Sequence, residues 1–323
     1  MQNAAIMMSK MKEKIKMKSR FRNLKNLFFF LLILMLNLRF ISAQDDGMRN
    51  IIKQGATLEK LATGFLFTEG PTADIKGNVY FTDQPNDRIM VWNTKTGLSV
   101  YMQPSGRANG MAFDNKGNLW VCADNKNELW KISPTKSVEV VVTKYNGNLL
   151  NGPNDLWIRP DGGIYFTDPF YQRPWWDHDK MPQDKQCVYY LEPGHKTAIR
   201  VADDLVQPNG IVGTPDGKTL FIADIRGNKT WSYSINPDGS LTGKKLFCEM
   251  GSDGMTIDSE GNLYLSGIGV TVFDKTGIRV GNIPVPESWT ANVCFGDKDF
   301  KSLYITASKG LYRIKLKVKG TRG

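Results

Sequence analysis

One pattern recurs six times along this chain and constrains its fold more than any other feature. It is a short apolar run, a turn with Asp and Gly, an alternating strand with an aromatic residue, and a small or acidic residue at the end. It first reads Thr72-Ala-Asp-Ile-Lys-Gly-Asn-Val-Tyr-Phe-Thr-Asp83. It returns as Met111 to Asp124, Leu156 to Asp168, Ile211 to Asp224, Met255 to Gly267 and Val293 to Ala307, with ends 41, 44, 56, 43 and 40 residues apart. Apolar residues flanking an Asp/Gly turn mark a β-hairpin. Further strand-like runs (Ile89 to Trp92, Glu128 to Ile132, Cys187 to Leu191, Thr230 to Ile235) bring each unit to about four strands. Six such units predict an all-β, six-bladed β-propeller. A single open sheet of about two dozen strands would not stay open, and no long 3.6-residue periodicity supplies the helices of a parallel sheet. The 56-residue interval carries an insertion, Phe170 to Gln186, containing Trp175 and Trp176. Long loops on one propeller face are often functional. This one is either a sugar-stacking lid or a loop packed on the rim.

A second regularity lies just upstream of each hairpin. Glu69, Asn154 and Asp253 stand 14 residues before the end of their unit, and Asn109, Asn209 and Asn292 stand 15 before. Gly follows in four cases, Gly70, Gly110, Gly210 and Gly254. Any one of these residues is at home in a turn. Six in register, with Glu, Asp and Asn together about 15% of residues, is on the order of a one in 10⁵ coincidence before allowing for choice of position. The first strand of a blade runs beside the central channel, so the six side chains should form a ring at one depth. Oxygen donors with two negative charges suit a hard divalent cation, calcium above all. Zinc favours His and Cys, which the ring lacks.

Charge distribution removes a competing reading. The chain has a formal net charge of +10, which invites thoughts of nucleic acid or anionic membrane. Residues 1 to 43 hold nine Lys/Arg against one acid, Glu13, so eight of those ten charges lie there. The remainder is nearly neutral, and nucleic acid is not an expected partner. The basic run leads into ten apolar residues, Leu27 to Leu36, then Ile41-Ser42-Ala43. That is the layout of a secretory signal, too short to span a bilayer with its roughly 20 residues. The expected organisation is a signal peptide over 1–43, cut after Ala43, and one propeller domain over 44–323. The mature protein would be secreted or periplasmic, without stable membrane association, and a monomer or dimer. The four cysteines, Cys122, Cys187, Cys248 and Cys294, are widely spaced with no C-x-x-C pair. They are expected to be buried thiols, with one disulfide as the alternative in an oxidising compartment.

Other catalytic designs find little support. There are two histidines, His178 in the insertion and His195 in a turn-like Glu-Pro-Gly-His. The chain has no G-x-S-x-G elbow, and neither H-E-x-x-H nor a phosphate-binding glycine loop.

Four segments, Phe67-Thr-Glu69-Gly-Pro71, Asn151-Gly-Pro-Asn154-Asp155, Gln207-Pro-Asn209-Gly210 and Asp253-Gly-Met255, resemble the gluconolactonase family, which includes regucalcin. The likeness covers Glu59 to Leu316. It implies a six-bladed propeller with a divalent cation in the channel, usually Ca²⁺ with Mg²⁺, Mn²⁺ or Zn²⁺ as alternatives, and hydrolysis of a sugar lactone or related ester. It implies Glu69, Asn154, Asn209 and Asp253 as metal ligands. Asp253 is also implied as the catalytic residue, a general base toward water or a nucleophile. Arg107 and Asn109 match a further family motif, and with Asp155, Tyr171 and Asn292 they are the candidate substrate-binding residues. The chain departs from the family at Asn148-Leu149-Leu150, where many members carry basic residues. Two other readings keep the ring: a non-catalytic binding module with a structural metal, and a metal-assisted lyase on the same scaffold.

Overall fold

Each hairpin is closed by side chains that the repeat supplies. Asp74 Oδ1 accepts the backbone N–H of Lys76 and Asn78, and Asp74 Oδ2 accepts the Asn78 amide at 2.8 Å. Asp114 with Lys116 and Asn118, and Asp258 with Glu260 and Asn262, repeat that geometry. An Asp side chain that mimics a turn of backbone explains why Asp recurs where each hairpin must reverse.

The protein is described here by a computed structural model covering Met7, Met11 and residues 47 to 321. Apart from Met7 and Met11, the predicted signal peptide over 1–43 lies outside the described residues. The chain divides into Met1–Gly47 and Met48–Gly323, and the propeller lies in the second unit. Five blades are four-stranded antiparallel sheets built from consecutive strands. Blade 1 is Thr68–Ala73, Val79–Asp83, Arg88–Asn93 and Gly97–Met102. Blade 2 is Ala108–Phe113, Leu119–Ala123, Glu128–Ile132 and Val138–Val142. Blade 3 is Leu156–Ile158, Ile164–Asp168, Cys187–Leu191 and Ile199–Ala202, and blade 4 is Pro208–Gly213, Thr219–Asp224, Lys229–Ile235 and Leu241–Cys248. Blade 5 is Met255–Ile257, Leu263–Gly267, Gly269–Phe273 and Arg279–Ile283. Blade 6 takes Thr290–Gly296, Ser302–Ala307 and Gly310–Lys315 from the C-terminal end and Glu59–Thr63 from the N-terminal side. That last strand pairs antiparallel with Gly310–Lys315, so the ring is closed by strand pairing across the sequence.

The first strands of neighbouring blades lie against one another all the way round, blade 6 against blade 1 included. The core sits between blades. Phe65, Val79 and Phe81 pack with Cys294, Tyr304 and Leu311 at the closure, and Leu156, Ile164 and Phe166 pack with Cys122, Leu129 and Val142 between blades 2 and 3. Alternation along each second strand supplies both faces of a blade to such interfaces. All four cysteines are buried and free.

In blades 1, 3 and 4 the acid that ends the second strand also has a structural task. Asp83 accepts the backbone N–H of Leu66 and Phe67, Asp168 those of Asn151 and Gly152, and Asp224 those of Val206 and Gln207. Each ties down the linker entering its own blade. In blade 2 Asp87 accepts Ser105 and Arg107 N–H instead, and in blades 5 and 6 the second strand ends in Gly267 and Ala307.

Candidate functional site

The six ring positions occupy one place in the fold. Glu69, Asn109 and Asn209 lie in bulged stretches of the first strands of blades 1, 2 and 4, Asn292 beside a bulge in blade 6, and Asn154 and Asp253 just before those of blades 3 and 5. A bulge re-aims a side chain that regular pleating would turn away. All six are buried except Asp253, which is partly exposed.

The glycines that follow explain how the inner strands come so close. A Cβ on Gly70 would sit 1.9 Å from the Asn109 carbonyl oxygen, one on Gly110 2.5 Å from that of Asn154, and one on Gly254 1.9 Å from Asn292 Cγ. Gly110 N–H donates to Asn154 O at 2.7 Å and Gly254 N–H to Ala291 O at 2.8 Å, stitching blade 2 to 3 and 5 to 6. In blade 3 the place of glycine is taken by Asp155, whose buried carboxylate accepts Leu156 N–H through Oδ1 and Asn292 Nδ2 through Oδ2 at 3.2 Å. Blade 3 is thereby bonded to blade 6.

Asp253 is held at both oxygens. Asn209 Nδ2 donates to Oδ1 at 2.8 Å, and Trp289 Nε1 donates to Oδ2 at 2.6 Å. Asn209 Nδ2 also donates to the Tyr171 hydroxyl at 2.9 Å. Both amide hydrogens of Asn209 are thus used, and its Oδ1 is left buried without a partner, as is Asn109 Oδ1. Burying a carbonyl oxygen unpaired costs about 1–3 kcal/mol, so these two atoms call for a cation or another donor.

Electrostatics point the same way. Burial, then the Asp253 charge, holds Glu69 well above the usual carboxylate range. Burial pushes Asp155 up to about 7, and Asp253 up to about 6 against the opposing pull of Trp289, Asn209 and Arg173. Three crowded carboxylates are each costly to ionise alone. Among the described residues no three His, Cys, Asp or Glu side chains cluster as a cation site by themselves. An ion would therefore rest on carboxylates and amide oxygens together, a donor set that fits calcium.

The insertion is packed on the rim. Arg173 Nε pairs with Asp124 Oδ2 at 2.8 Å, and Trp176 Nε1 donates to the Asp124 carbonyl at 2.6 Å. Asp124 is available because Asp87 has taken over its linker amides; Gln84 Nε2 donates to it as well. The Arg107 guanidinium lies 4.4 Å from the Trp175 ring centre, with Arg173 at 5.7 Å. On the other side Gln183 Nε2 donates to Tyr145, Asn148 and Leu149 carbonyls, so the stretch that departs from the family pattern serves as its seat.

Among the residues singled out from sequence, contacts join Tyr171 to Asn209, Asn209 to Asp253, and Asp155 to Asn292. Arg107 lies against the insertion, and Asn154 is engaged through its backbone by Gly110 and Thr167. Trp289 carried no signal, and Arg173 and Asp124 were visible only as a member of the insertion and the end of a repeat unit. Trp289 lies outside every repeated position, and the other two matter only because the insertion folds back on blade 2.

A closed six-bladed propeller with acids and amides gathered where its inner strands meet defines the class of protein. Residues 67–309 match the SMP-30/Gluconolactonase/LRE-like region, and the chain belongs to that family. It is 30% identical over 301 residues to a gluconolactonase of Zymomonas mobilis, covering 84% of each chain. A gluconolactonase of Xanthomonas campestris superposes with TM-score 0.77 at 28% identity, covering 83% of this chain and 92% of that one. A calcium-binding regucalcin from Agrobacterium tumefaciens, at TM-score 0.69 and 20% identity, covers 82% of this chain and 96% of the other and shares the fold.

Proposed function

We propose that this protein is a lactonase that hydrolyses a sugar lactone or a related ester at a divalent cation, calcium for preference, held in the propeller channel. Likeness to a gluconolactonase over 84% of the chain supports the reaction class. The observation that carries the site is Asn209: both its amide hydrogens are engaged, by Asp253 and Tyr171, and its buried oxygen has no partner. Glu69, Asn154, Asn209 and Asp253 would hold the ion.

A cation bound there would polarise the lactone carbonyl and stabilise the oxyanion that forms on it. The chain supplies the rest. Asp253 takes a proton from the attacking water, a role a positioned carboxylate can fill. Asn209 and Trp289 fix the plane of that carboxylate. Arg107, Asn109 and Tyr171 would contact the substrate, and Asp155 with Asn292 braces the channel across blades 3 and 6. The basic and apolar leader supports export of the mature propeller.

A panel of aldonic and aliphatic lactones, assayed with calcium and with chelator, tests this reading. Turnover that chelator abolishes and calcium restores is expected. Asp253→Asn should lose turnover by at least about 10³-fold while keeping its fold. Full activity in that variant, or in chelator, would remove Asp253 or the cation from the mechanism.

A further inference from the structure

Asp253 has two oxygens, and only one is engaged by another ring residue. The other is bonded to Trp289, in the loop immediately before the first strand of blade 6. That loop is fastened at its base, since Ser308 Oγ donates to the Trp289 carbonyl at 3.2 Å and lies 3.3 Å from Ser288 Oγ. The next residue, Thr290, is buried at the start of the strand. The indole therefore reaches Asp253 from a fixed backbone.

An indole N–H suits this task better than most donors. It can donate but never accept, so it favours the ionised carboxylate and offers no hydrogen-bonding alternative. It stands on a rigid ring with two side-chain torsions, so little entropy is lost in aiming it. With Asn209 at Oδ1 and Trp289 at Oδ2, the carboxylate cannot rotate about its Cβ–Cγ bond without breaking a hydrogen bond.

We infer that Trp289 is a positioning residue for Asp253, clamping one carboxylate oxygen so that the remaining lone pairs point in one fixed set of directions. The inference deepens the lactonase reading and rests on it for its catalytic consequence, whereas the clamp itself is a property of the folded protein. Trp289 need not touch substrate. Outer hydrogen-bond partners of this kind typically affect cation affinity or activity by about 10–100-fold.

The test uses the mature protein with Trp289→Phe, which keeps an aromatic ring and deletes the N–H, and Trp289→His, which restores a donor. In Trp289→Phe, kcat should fall at least about 10-fold with KM within about twofold, and calcium affinity by calorimetry should weaken by about 10-fold. Trp289→His should recover part of both. An amide-region NMR spectrum supplies a readout independent of turnover. The indole signal missing in Trp289→Phe should lie downfield in the wild type and move upfield in Asp253→Ala. If the wild type hydrolyses no lactone, the functional reading fails while calorimetry and the indole signal still decide the clamp. Wild-type kcat and calcium affinity in Trp289→Phe overturn the inference. So does an indole signal that ignores Asp253→Ala, whatever the activity.

Discussion

At the residue scale the site depends as much on atoms that are missing as on those present. Gly70 has φ +46° and no space for a Cβ, which would lie 1.9 Å from backbone of the next blade. Gly70→Ala should therefore destabilise the protein by about 2–4 kcal/mol, combining left-handed strain with overpacking against a rigid carbonyl. A denaturant melt measures it, and a loss below about 1 kcal/mol would show that the inner strands can part. The six ring positions and their glycines could be read from the repeat because a propeller converts equal spacing into equal depth. Asp155 could be read only as a neighbour of Asn154. Its reach to Asn292 follows from facing a blade 137 residues away in sequence.

At the scale of elements, the same side chain at the same repeat position can hold different things. Asp83, Asp168 and Asp224 cap linkers, whereas Asp124 holds the insertion through Arg173 and Trp176. Burial pushes Asp124 up to about 6 even with the guanidinium beside it. Asp124→Asn should loosen the insertion without unfolding the blades. Tryptic cleavage within residues 170–186 should quicken by about 10-fold, the effect of about 1.4 kcal/mol in local opening, while the global melting point moves little. Unchanged cleavage would place the hold elsewhere, at Gln183. The hairpins were legible because their Asp-Gly-Asn turns act locally. The docking of Phe170 to Gln186 was not, because a loop of that composition packs or projects according to what surface it meets.

For the whole molecule, the buried acids set an unusual dependence on pH. Asp155 and Asp168 are pushed up to about 7, Asp124 and Asp253 to about 6, and Glu69 well above its ordinary value, chiefly by burial. Their unfolded values lie near about 4. Between about 4 and 7 the folded state thus binds more protons than the unfolded one, so stability falls as pH rises through that window. Chelated protein should melt roughly 5 °C lower at pH 8 than at pH 5, and calcium should raise the melting point more at pH 8. A higher melting point at pH 8 in chelator would contradict the arrangement of carboxylates. Export is a separate matter: intact mass of the mature protein should correspond to a chain beginning at Gln44, and retention of residues 1–43 would refute the signal peptide.

The sequence by itself determined the blade count, the hairpins, six equivalent positions on the inner strands and the family, because each rests on local chemistry repeated at a fixed interval. Tertiary structure alone decided that Glu59–Thr63 closes blade 6, that Asp253 is clamped from both sides, that Asp155 braces Asn292, and that Asp124 is released to hold the insertion. Most of these contacts join residues that share no repeat position, and only the packing of blade on blade brings them within hydrogen-bonding distance.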